Sequence, residues 1–162
     1  MAVAEIIGAA VGVLLLVIVA YLLVGGTLSM AETVTTAQKD LTSLQEARLR
    51  TSIAVSDAVN EDPYLNFTVK NTGNEIISDF THMDVYSYDT SNGYIHYTYD
   101  KDNTGDAGTW SIIRFEKDLV HTRELDPDDI MTVWAIVPGT YSSKTTVQVT
   151  TGNVVQGIAS VT

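Results

Sequence analysis

Cysteine is absent from the 162 residues. Neither a disulfide framework nor a thiolate metal site is therefore available, and the fold must rely on its core. Basic residues are scarce. No Lys or Arg precedes Lys39, and from Thr51 to the end sixteen acids face six bases. An anionic surface of this kind excludes a phosphate-binding groove and makes nucleic acid an unsuitable partner. The usual marks of catalysis are missing too: there is no G-x-S-x-G elbow, P-loop or Cys nucleophile, and His82, His96 and His121 lack H-x-x-x-H spacing. The chain reads as a non-enzyme, although a Ser, His and Asp assembled only in space would leave no trace in these spacings.

Against these absences stands one long apolar run. Ile6 to Val24 is nineteen residues without a charge, and Tyr21 is its only polar side chain. As a helix it reaches roughly 28 Å, close to the hydrocarbon thickness of a bilayer and longer than the apolar core of a signal peptide. It predicts one membrane anchor, with everything from Gly25 onward held on one side. Gly8 and Gly12 form a G-x-x-x-G pair that Ala4 extends by a turn, a face on which another helix can pack, though small residues are common in membrane helices without that role. Glu5 sits near the positive end of the helix dipole at the interface, or pairs with a neighbour's α-amino group in a bundle. With no basic residue flanking the run, the positive-inside rule is silent. Either a basic leader has been removed and Met1 is a mature terminus, or the chain inserts with a very short head. The acidic, β-rich remainder is expected outside the membrane.

Gly25 and Gly26 follow the run and predict a flexible joint. Beyond them Met30, Val34, Ala37, Leu41 and Leu44 recur at spacings of four and three, a helical seam that packs on the domain or on neighbouring copies. Near Leu49 the period changes from 3.6 to 2. Leu49, Thr51, Ile53 and Val55 alternate with Arg50, Ser52, Ala54 and Ser56, and Leu65, Phe67 and Val69 share a face opposite Asn66, Thr68 and Lys70. Further strands are expected at Met83–Tyr88, Tyr94–Tyr99, Thr109–Phe115, Ile130–Val137, Thr145–Thr150 and Val154–Val161. Turns are expected at Asn71–Asn74, where Gly73 supplies positive φ, at Ser91–Asn92–Gly93 and at Pro138–Gly139. The fold class is α+β: a single N-terminal transmembrane helix in residues 1–48, then an antiparallel immunoglobulin-like β-sandwich in residues 49–162.

The stretch LNFTVKNTGNEIISDFTHMDVYSY (Leu65–Tyr88), the LDPDD at Leu125–Asp129 and the ending TTGNVVQGIASVT, all behind an apolar N-terminal helix, resemble the archaeal flagellin and type IV pilin-like superfamily. Within it the chain is most similar to the archaellum accessory, stator-type proteins F and G. The resemblance implies a structural envelope protein of an archaeon: the helix anchored in the membrane on the motor side, the sandwich outside, gripping a surface-layer protein or other archaellum components. The chain departs from the prepilin pattern in having no Lys or Arg followed by Gly before the apolar run. Two other readings stay open: a filament subunit polymerising through its N-terminal helix, and an extracellular binding module with a plain anchor. Partners expected are the membrane, the components just named and further copies of the chain.

Local candidates are few. Asp100, Asp102 and Asp106, spaced before and after Gly105, resemble a calcium loop, but the twelfth position is Ser111 rather than Glu and a solvated acidic hairpin has the same composition. No other cofactor is indicated. Asp126, Asp128 and Asp129 around Pro127 read as a turn. Tyr86, Tyr88, Tyr94, Tyr97 and Tyr99 lie on two strands joined by one turn, either as ordinary sheet packing or as an interface patch for a neighbour. Asn66-Phe67-Thr68 is an N-glycosylation sequon with Asn66 on the outward face.

Overall fold

A computed structural model of the chain describes residues 2–90, 93–118, 120–139 and 144–162. The chain divides into two compact units, one ending at Ser43 and the other running from Leu44 to Thr162.

The first unit is helix. It belongs to α1, which runs unbroken from Ala2 to Arg50. The joint expected at Gly25–Gly26 is absent: both glycines are helical. Each costs about 1 kcal/mol against alanine, but a helix already nucleated over many turns on either side gains a hydrogen bond for every residue it keeps. In the hydroxyl-rich segment beyond, Thr27, Thr33, Thr35, Thr36 and Thr42 each donate a side-chain hydrogen bond to a carbonyl one turn back, so their hydroxyls are satisfied without breaking the helix. The apolar side chains from Ile6 to Val24, and Met30, Val34 and Leu41 after them, are exposed. The helix is long and apolar enough to cross a membrane.

The second unit holds the end of α1 and eight strands: β1 Ile53–Glu61, β2 Tyr64–Asn71, β3 Asp84–Asp89, β4 Gly93–Tyr99, β5 Thr109–Phe115, β6 Ile130–Ile136, β7 Lys144–Thr150 and β8 Gln156–Ser160. They join in the order β1-β2-β6-β5-β4-β3-β7-β8. Thus the first strand is Ile53–Glu61, not a strand from Leu49. Helix persists through Arg50 because Arg48 and Arg50 suit the negative end of the dipole and Arg50 pairs with Glu46 one turn back. The last strand likewise begins at Gln156, since Val154 at φ 60° closes a turn. The Ser91–Asn92 part of the expected hairpin turn lies outside the described residues; Gly93 has φ 76° and Gly139 φ 87°, as turns there demand.

The sheet is mixed rather than wholly antiparallel. β4 and β5 run parallel, paired only at Thr98–Thr109 and Tyr99–Trp110, while the other neighbouring strands are antiparallel. It closes on itself like a sandwich: Leu65, Phe67 and Val69 of β2, Met131, Val133 and Ala135 of β6, Val85 of β3, Tyr97 of β4 and Val147 and Val149 of β7 fill one core. β1 and β8 meet so closely that a Cβ on Gly157 would stand 2.7 Å from Val55 Cγ2, so this position has room only for glycine. A bulge between Ser56 and Val59, with Asp57 at φ 52°, resets β1 and turns Ala58 inward.

Candidate functional site

The three stretches that carry the family resemblance meet where α1 ends. Helix termini leave carbonyls unpaired, and here loops from the sheet take them. Thr72 and Gly73 donate their N–H groups to Ser52 O at 2.9 and 3.0 Å, and Asn74 N–H reaches Arg50 O at 2.8 Å. Thr51 caps the last turn with its hydroxyl on Ala47 O at 2.7 Å, and Asn153 Nδ2 donates to that hydroxyl at 2.9 Å. Arg50 also pairs with Glu75, 3.6 Å away. Gly73 is needed for close approach, not for positive φ as expected from the turn: a Cβ there would run into Arg50 O and Ser52 N.

Asn71 ties this collar to the core. Fully buried, it donates from Nδ2 to Glu75 O at 2.7 Å and Leu125 O at 2.9 Å, and its Oδ1 accepts Gly73 N–H at 3.0 Å. Its backbone exchanges bonds with the LDPDD turn: Asn71 N–H to Asp129 O, 3.0 Å, and Asp128 N–H to Asn71 O, 2.9 Å. The Asp129 carboxylate, itself buried, accepts the N–H groups of Lys117 and Ile130 through Oδ1. Most of the polar groups enclosed at this junction have a partner, Asp129 Oδ2 being a buried exception, and they bind the last turn of the helix to the loops of the sheet. In the sequence, Asn71–Asn74 reads as a turn after a strand, and nothing in its residue types signals that Asn71 is buried.

The tyrosines divide between two faces. Tyr86 lies beside His96, ring centroids 4.8 Å apart, and Tyr88 beside Tyr94 at 4.9 Å, all on the outer face of β3 and β4. Tyr97 is fully buried, its hydroxyl 2.8 Å from Ser87 Oγ, and Tyr99 packs inward against Trp110. The expected patch of Tyr86, Tyr88, Tyr97 and Tyr99 is therefore corrected: Tyr97 and Tyr99 belong to the core side, because side chains alternate along a strand and the odd positions of β4 point in. Tyr86, Tyr88 and Tyr94 remain outside.

Asp100 is the hub of a turn. Its Oδ1 accepts Asp102 N–H at 3.1 Å, and its Oδ2 accepts the N–H and hydroxyl of Thr104 at 2.5 and 2.9 Å; that hydroxyl also reaches Asp106 Oδ2. Burial alone would raise the Asp100 carboxyl, but the bonds from Thr104, Gly105 and Asp102 outweigh it and hold the group below its ordinary 3.8. The oxygens of Asp100 thus serve the turn, and among the described residues no group of three His, Asp or Glu side chains is placed to hold a metal ion. Asn66 faces outward as its parity required, half-buried, with Nδ2 donated to Glu61 Oε2 at 2.9 Å. Glu5, Gly8 and Gly12 lie on α1, and added Cβ atoms at the two glycines would meet open space.

No family model matches the chain, and no curated protein does. Solved structures do. The archaellum periplasmic stator protein FlaG from Sulfolobus acidocaldarius superposes with a TM-score of 0.53 at 18% identity, over 67% of this chain and 97% of that one. The complex of FlaF and FlaG, archaellum periplasmic stator proteins of the same organism, gives the same score and identity over 67% of this chain and 87% of its own. The β-sandwich-like unit behind the apolar helix thus has the fold of the archaellum stator proteins.

Proposed function

We propose that the chain is a non-enzymatic, membrane-anchored component of an archaellum-type motor, with its sandwich outside the membrane acting as a stator. The observation that carries this is the pairing in one chain of a helix long and apolar enough to cross a membrane with a sandwich-like unit whose loops take up the last turn of that helix. The fold likeness to a periplasmic stator protein supports the same reading. On it, the sandwich holds a surface-layer protein or another archaellum component, and copies associate through the Gly8 and Gly12 face of the anchor. The test is fractionation with motility. The chain is expected in the membrane fraction, resistant to high-salt washing, and its deletion should leave filaments assembled but unable to swim. Recovery in sheared filaments would instead establish the second reading, a filament subunit, which the long exposed helix with its small-residue face favours.

A further inference from the structure

The sandwich is open along one seam. β4 pairs with β5 only at two positions and ends at Tyr99, whereas β5 continues to Phe115. Five consecutive residues of β5, Ser111 to Phe115, therefore line a surface cleft of about 590 Å³, and among the described residues no strand pairs with β5 on that side beyond Trp110. Phe80, Tyr99 and Phe115 form its floor, with Phe80 centred 6.3 Å from Tyr99 and 5.9 Å from Phe115.

The rim is cationic in an otherwise anionic chain. Lys101, Arg114 and Arg123, three of the six bases after Thr51, all line this cleft. Among the described residues none of the three forms an ion pair, although acids outnumber bases throughout; by contrast Lys70 is 3.2 Å from Asp128. Arg114 makes one long contact, Nε to Thr132 Oγ1 at 3.4 Å. Asp118, the acid of the rim, spends its Oδ1 on the backbone N–H of Arg123 at 2.7 Å, in a turn where Arg123 takes φ 65°. Burial raises the Tyr99 hydroxyl above its ordinary 10, the Arg123 charge lowers it and the Asp100 charge raises it, so charges of both signs reach the floor of the cleft.

We propose that this cleft docks an extended acidic segment of a partner protein, which adds along the open edge of β5 while Lys101, Arg114 and Arg123 hold its carboxylates. An unpaired strand edge recruits extended backbone, and Arg and Lys beside it select alternate acidic side chains. The apolar floor suits the side chains between them and does not suit inorganic anions. This inference rests on the cleft alone and stands whether or not the chain serves a motor.

The test uses the full chain in detergent micelles and a fluorescein-labelled octapeptide alternating Glu and Val, followed by fluorescence anisotropy. Binding is expected to weaken at least tenfold when Gln replaces Glu in the peptide, and at least tenfold in a Lys101→Glu, Arg114→Glu protein whose circular dichroism is unchanged. Lys101→Gln alone should weaken it about threefold, and Lys70→Glu, away from the cleft, should change it less than twofold. On binding, amides of Ile112–Phe115 should gain protection from hydrogen exchange. No binding, equal losses from Lys70→Glu and the cleft variants, absence of β5 protection, or displacement of the peptide by equimolar inorganic phosphate would each overturn the proposal.

Discussion

Three residues show how much depends on a single side chain. Phe67 is 1% exposed, on the face that strand alternation assigned to the core. Phe67→Ala is expected to cost about 3 to 5 kcal/mol, and denaturant unfolding of the variant should show the midpoint falling accordingly. Asn71→Ala removes the donor for Glu75 O and Leu125 O and leaves each carbonyl without that bond, at about 1 to 3 kcal/mol apiece. An unchanged midpoint would mean that the collar contributes nothing to stability. Asp100 adds a pH dependence. Its folded value lies below the unfolded one, so its contribution is present above about pH 4 and is lost as pH falls through the folded value. The stability gap between the parent and Asp100→Asn should accordingly shrink between pH 7 and pH 3; a constant gap contradicts the assignment.

At the scale of elements, α1 and the β1–β8 seam make opposite uses of glycine. Gly25 and Gly26 lie inside a continuous helix with open space around them, so they are not a hinge in this structure. Replacing both with Ala is expected to stabilise the helix by about 1 kcal/mol per site, visible as a higher thermal midpoint of helical circular dichroism for the full chain in detergent micelles. A lower midpoint would contradict the continuous helix. Gly157 has no such freedom. Gly157→Ala drives a methyl into Val55 and should cost about 1 to 3 kcal/mol through overpacking, visible as faster amide exchange in β8 and β1 than in β2 and β6.

For the whole molecule, the second compact unit begins at Leu44, inside the helix and a few residues before the change of period near Leu49. A fragment from Leu44 to Thr162 retains Ala47, Thr51 and the collar and is expected to be soluble, β-rich and folded without lipid, as circular dichroism would show. Starting instead at Ser52 removes Thr51 and the Arg50 carbonyl that Asn74 uses, and should lower the unfolding midpoint. Equal midpoints for the two fragments would mean that the helix end is only attached to the sandwich and not built into it.

The sequence by itself determined the long apolar helix, the α+β class, the position of most strands and the inward face of β2, because these follow from local composition and periodicity that every conformation of the chain carries. Tertiary structure decided the rest. Parity alone shows that Tyr94 and Tyr97 point to opposite faces, but which face is core depends on the sheet that covers it. Lys101, Arg114 and Arg123 are separated by many residues and carry no motif; β4 ending before β5 brings them to one cleft. VKNTGN, LDPDD and TTGN are each legible as turns, yet their common task at the end of α1 exists only once the sheet has closed, since a hydrogen bond between residues 71 and 125 is set by packing and not by the chain near either one.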